Sequence, residues 1–105
     1  MKANLIEMLK AKGFTEIELR AEDELIRQCN GLILQREWSQ VVEAAFRGRV
    51  LETYAVRVLV NRNSGICFVR YLKNGREYKS RWYETVGKRT YNAIVETARC
   101  AGYAI

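Results

Sequence analysis

Asn74-Gly75 stands between two runs, 66–73 and 76–85, whose side chains alternate with a period of two. A two-residue Asn-Gly loop is the strongest short signal for a type I′ hairpin, because both central residues of that turn take positive φ. It commits this region of the chain to antiparallel sheet. It also fixes a register in which Lys73 faces Arg76, Tyr71 faces Tyr78, Val69 faces Ser80 and Cys67 faces Trp82. Residues 50–61 are rich in β-branched side chains and read as a preceding strand, joined through the looser connection 61–65. Three strands of a meander follow.

Helical spacing surrounds them. Residues 2–12 place Leu5, Ile6, Met8 and Leu9 on one face, with Gly13-Phe14 as the stop. A short extended segment is expected at 15–19, then a helix over 21–29 opening on Glu22, Asp23 and Glu24, with a break at Asn30-Gly31. Leu34, Trp38, Val41, Val42, Ala45 and Phe46 predict a helix over 35–47 closed by Gly48. Residues 88–101 predict a last helix with Tyr91, Ile94, Val95 and Ala98 inward and Gly102 as its stop. Tyr103 to Ile105 read as a tail or a short edge strand. The expected fold is α+β: N-terminal helices, a three-stranded antiparallel meander, and a C-terminal helix packed on one sheet face. At 105 residues this is a single domain spanning the whole chain, helical over residues 1–48 and βββα over residues 49–105.

Charge divides the chain at the same place. The net charge is +6, from 18 Lys and Arg against 12 Asp and Glu. Residues 1–48 hold seven basic and eight acidic side chains, and residues 49–105 hold eleven and four, so the second half carries +7. Such asymmetry points to nucleic acid or another acidic surface. No histidine occurs, which removes the commonest zinc ligand and general base. Cys29, Cys67 and Cys100 are an odd, widely spaced set, expected as buried free thiols rather than a disulfide frame. No apolar run reaches the ~20 residues of a membrane span, and residues 1–14 lack a signal-peptide pattern. A cytoplasmic protein without membrane contact or cofactor is expected.

The hairpin register sorts the sheet into two faces. Tyr54, Val56, Val58, Val60, Cys67, Val69, Tyr71, Tyr78, Ser80 and Trp82 form the face that helices should cover. The other collects Arg57, Leu59, Ile66, Phe68, Arg70, Leu72, Glu77, Lys79, Arg81 and Tyr83. Cations interleaved with aromatics suit phosphates and stacked bases. Arg57, Arg70, Lys79 and Arg81 are therefore expected to contact phosphates, and Phe68 and Tyr83 to stack. Lys88 and Arg89 extend the track at the start of the last helix, where free N–H groups attract anions. The same face could instead be covered by the N-terminal helices or form a homodimer contact.

Residues 54–102 resemble, in layout, the strand-strand-strand-helix unit of plant ethylene-response and phage integrase arm-binding domains. Trp82-Tyr83-Glu84-Thr85 is similar to the aromatic-acidic-Thr lead into their helix. That resemblance implies a sheet laid in a DNA groove. Residues 35–102 resemble the α-β-β-β-α order of double-stranded RNA-binding domains, with Lys88-Arg89 at the second helix start. An enzyme is not expected. Glu77-Tyr78-Lys79 matches the E-x-K of metal-dependent nucleases, but residues 53–76 supply no second carboxylate and the sole Asp is Asp23. The expected function is a bacterial or phage nucleic-acid-binding module for DNA or RNA. The alternative is a small phage-type inhibitor, similar to anti-CRISPR proteins, that binds and blocks a host protein or nucleoprotein.

Overall fold

The computed structural model of the chain describes residues 4–18 and 30–105. Helix α1 (Leu5–Ala11) is followed by strands β1 (Thr15–Ile17), β2 (Gly31–Ala44), β3 (Gly48–Asn61), β4 (Ile66–Lys73) and β5 (Arg76–Tyr83), and then by helix α2 (Lys88–Cys100). The five strands make one antiparallel sheet in sequence order. This overturns the expected fold of N-terminal helices before a three-stranded meander. The helix expected over 21–29 and Cys29 lie outside the described residues, as do Lys2 and Ala3.

The decisive correction falls on 35–47, where β2 and a hairpin turn replace the expected helix. Leu34, Trp38, Val42 and Phe46 lie four apart, a spacing that a period of two satisfies as well as one of 3.6. The partner strand arbitrates. β3 pairs with β2 along its full length, from Gly31↔Asn61 to Ala44↔Gly48. Gly48 has φ +70 at the end of that turn. A left-handed glycine ends a helix or closes a hairpin equally well, so the stop signal is real but its owner is a strand.

Both described helices contribute to one core on one face of the sheet. Leu5 and Leu9 of α1 and Ile94 and Ala98 of α2 join Leu32, Leu34, Val56, Val58, Val60, Cys67, Val69 and Tyr71. Asn4 caps α1, its side chain accepting from the Glu7 N–H at 2.9 Å. At the other end of the core, Gly102 (φ +88) turns the chain back so that the Tyr103 N–H reaches the Ala98 carbonyl at 2.9 Å. Tyr103 is buried, its hydroxyl donating to the Leu72 carbonyl at 3.0 Å and its ring 4.8 Å from that of Tyr54. The last residues thus close the core, and among the described residues they pair with no strand.

Half of the long hairpin leaves this core. β1 reaches only Gln35 of β2, and β4 covers β3 only from Tyr54 onward. Residues 36–53 therefore form a two-stranded arm. At ~3.3 Å per residue a 14-residue strand spans about 45 Å, close to the longest dimension of 48 Å. Among the described residues no helix is long and apolar enough to cross a membrane, and no cluster of His, Cys, Asp or Glu could hold a metal ion.

Candidate nucleic-acid interface

The Asn74-Gly75 turn forms with φ +52 and +79, and Lys73 faces Arg76 as the turn dictates. Leu72 then faces Glu77, but Tyr71 faces Lys79, so Tyr78 has no partner across the strand. This bulge inverts the rest of β5, because one inserted residue moves every later side chain to the other face. Lys79, Arg81 and Tyr83 lie opposite Tyr71, Val69 and Cys67 on the helix face, whereas Ser80 and Trp82 lie opposite Arg70 and Phe68. The expected single-face set is split. Arg57, Phe68 and Arg70 remain together, and Lys79, Arg81 and Tyr83 are on the other side of the sheet.

Lys73 supports the bulge. Its Nζ sits 4.2 Å from the centre of the Tyr78 ring, 5.7 Å from Tyr54 and 5.8 Å from Tyr103. An ammonium among three ring faces is a stabilising arrangement, and it draws Tyr78 toward the helix side.

β5 is an edge strand of the sheet, and every residue from Arg76 to Trp82 is exposed. Trp82 is 70% exposed and rests on Phe68, ring centres 4.6 Å apart and planes at 31°. On the helix side, Lys79, Arg81 and Tyr78 border a groove of about 420 Å³ against Glu96, Thr97 and Cys100 of α2. Tyr83 is half-buried, with its hydroxyl buried and the Arg81 guanidinium 5.8 Å from its ring centre. It is not the open stacking surface expected of it. Lys88 and Arg89 are exposed at the start of α2, where the cap is Gly87 and the first turn has no acidic residue.

The arginines on the other face are already engaged. Arg57 Nε donates to Gln35 Oε1 at 2.8 Å, and Arg70 Nε to Glu77 Oε1 at 2.8 Å. Both border a depression of about 370 Å³ with Glu37, Thr53, Ala55 and Leu72. An anion reaching Arg70 must displace Glu77. The same geometry separates the members of the E-x-K tripeptide: Glu77 lies on the Arg70 side and Lys79 on the helix side. Burial pushes the Cys67 thiol up to about 11. Cys100 is exposed, correcting the expectation of three buried thiols.

Trp82 and Ser80 are the residues that the turn register alone assigns wrongly to the helix face; Tyr78 stays on the helix side but is 56% exposed. A signal is present in the composition. The run 76–83 contains no aliphatic residue, as suits an uncovered edge rather than a strand with a buried side. With 35–47 a strand, the α-β-β-β-α order is absent, and the sheet of the βββα unit continues through β2 into β1. Compared with known protein families, curated proteins and solved structures, the chain matches none.

Proposed function

We propose that the protein binds nucleic acid along the exposed edge strand β5. The observation that carries this reading is the continuous exposure of residues 76–82, in which Arg76, Lys79 and Arg81 alternate with Tyr78 and Trp82. Cations at this spacing neutralise phosphates, and an open indole takes a base on its face. Lys88 and Arg89 extend the phosphate track beyond the strand. Arg57 and Arg70 act behind it, Arg70 by exchanging Glu77 for a phosphate. Phe68 serves as the floor on which Trp82 is held, rather than as a stacking partner itself. The electrostatic component of the attraction is general, so DNA and RNA are both within its reach, with unpaired bases favoured by the Trp82 platform.

Fluorescence anisotropy with single- and double-stranded oligonucleotides at low salt tests it. Affinity should fall steeply as salt rises. Replacing Lys79 and Arg81 together by Glu should weaken binding by about 100-fold or more and lower the salt slope by roughly two phosphate contacts. Trp82→Ala should weaken single-strand binding by about 5- to 150-fold, the equivalent of ~1–3 kcal/mol for one base–aromatic stack. No binding by the wild type at low salt, or full affinity in the charge-reversed variant, defeats the reading. One feature favours a protein-blocking role instead: Trp82 beside arginine is the usual make-up of a protein hot spot. In that case capture of a protein target is insensitive to added oligonucleotide and lost in Trp82→Ala.

A further inference from the structure

The arm differs from the interface in every property that matters for a partner. Residues 36–53 contain three Arg and three Glu, so the arm is neutral. Among its exposed side chains are three large apolar ones: Val41 is 54% exposed, Leu51 70%, and Phe46 at the tip is fully exposed. Its arginines are matched by equal numbers of glutamates, so it has no excess of positive charge for a phosphate backbone. It also has an open edge. Among the described residues no strand pairs with β2 on its β1 side beyond Gln35, and that edge carries neither proline nor lysine to block pairing.

We infer that this edge, residues 38–44 of β2, pairs antiparallel with the same edge of a second copy of the chain. The backbone dictates which groups are available. Thr53 of β3 turns both its N–H and its carbonyl away from β2, to Asn74 Oδ1 at 3.0 Å and the Asn74 N–H at 2.7 Å. Its partner Ser39 must then turn its own groups away from β3, toward the open edge. By alternation Val41 and Glu43 do the same. A two-fold pairing joins odd residues to odd residues, which leaves few registers.

Charge and length select among them. Pairing Ser39 with Val41 of the second copy sets Glu37 directly opposite Glu43 and drives the arm tip against β1, where Thr15 to Ile17 already occupy β2. Pairing Val41 with Glu43 shortens the overlap to five residues and places a carboxylate against a valine. Pairing Val41 with Val41 gives seven residues, with Glu43 opposite Ser39 and Ala44 opposite Trp38. Because Val41 faces Leu51 within each arm, this register lines up Leu51, Val41, Val41 and Leu51 across four strands. Four exposed apolar side chains become one row. The tip then ends at the border of β1. The second copy is the occupant that satisfies the backbone edge, the valine row and the charges together, and it does not depend on the nucleic-acid reading.

Sedimentation velocity over a concentration series tests the association. The wild type should move from 12.2 kDa toward twice that mass, and Val41→Lys, which sets two ammonium groups against each other across the two-fold axis, should need at least tenfold more protein. Circular dichroism confirms that the variant folds, as expected for an exposed position. The register is read in a background with all three cysteines replaced. Val41→Cys should form a cross-linked dimer under mild oxidation, and Val42→Cys should not, since it faces Gln40. A wild type that stays monomeric at every concentration overturns the inference, whether or not it binds oligonucleotides. A dimer that Val41→Lys leaves intact, or that cross-links through position 42 rather than 41, overturns it too.

Discussion

β2 and β3 pass through two environments in one hairpin, and the contrast separates what makes a strand from what makes it stable. In the body, Leu34, Val56 and Val58 are wholly buried beneath α1 and α2. Further along the same hairpin, on the opposite face of the sheet, Val41 and Leu51 are again aliphatic partners across the two strands, and both stand in water. Side-chain type and pairing are alike, so the backbone follows one course throughout. Burial is not alike. The body is held by apolar area removed from water, whereas the arm is held by its hydrogen-bond ladder, by the anchorage at its root and by Val42, which packs against the border of the core.

That root is a small polar and aromatic joint. Gln40 Oε1 accepts from the Trp38 indole N–H at 2.8 Å and the Ala104 N–H at 2.9 Å, while its Nε2 donates to the Gly102 carbonyl at 2.7 Å. Tyr103 packs edge-on against Trp38, Tyr54 and Tyr71. The sharpest way to break the contrast is here. Tyr103→Ala should cost about 3–5 kcal/mol, the range for deleting a buried aromatic. Val41→Ala and Leu51→Ala should each cost no more than about 0.5 kcal/mol. Urea unfolding at protein concentrations too low for association measures all three. Equal costs in arm and body would show that the arm is stabilised by contacts other than its root and ladder.

A chemical version of the same contrast uses cysteine. Cys67 is 1% exposed, and its thiol rises from 9.0 to about 11 through burial. The folded state therefore keeps a proton that the unfolded chain gives up. The stabilisation is complete below pH 9 and is lost as the pH climbs to 11, by about 3 kcal/mol at 1.36 kcal/mol per pH unit. Tyr103, raised to about 12 by burial, adds loss in an overlapping and higher window. The comparison that isolates the thiol is stability at pH 9 and pH 11 in the wild type and Cys67→Ala, the variant showing the smaller decline. A disulfide reagent at neutral pH should label Cys100 at once and Cys67 only on unfolding. Immediate labelling of Cys67 would mean that the β4–α2 contact opens readily.

How much of this is legible in the sequence follows the same division. Asn74-Gly75, β4, β5 and α2 each carry a local signal: a turn dipeptide, a period of two, or a period of 3.6 ended by glycine. The buried face of β3 and β4 is readable for the same reason. β2 is not, because side chains four apart serve either period and only the pairing with β3 decides. The bulge at Tyr78 is also hidden. No glycine or proline marks it, and what holds it is Lys73 among three rings, one of which arrives from residue 103. Since face assignments run outward from the turn, that one residue carries Lys79, Arg81 and Tyr83 to the other side and brings Trp82 into the open. Lys88 and Arg89 depend on a helix start rather than on a register, and that start is where the spacing predicts it.

Phe46 gives the smallest effect and an unusual sign. The Ala44 carbonyl accepts from the Arg47 N–H at 3.2 Å, closing a turn whose third residue is Phe46 at φ +69. Left-handed backbone costs an L-residue with a bulky side chain roughly 1–2 kcal/mol, and among the described residues nothing offsets it, because the ring is fully exposed. Phe46→Gly removes that strain and restores about 0.5–1 kcal/mol of backbone freedom to the unfolded chain. The net expectation is a protein unchanged or more stable by up to about 1.5 kcal/mol, read as a shift of the urea midpoint with the slope unchanged. A body residue of the same size gives the opposite result when truncated, since burial stabilises its ring. A loss of more than about 0.5 kcal/mol in Phe46→Gly at monomeric concentrations would show that the ring makes a stabilising contact, and the arm would no longer count as a region held apart from the core.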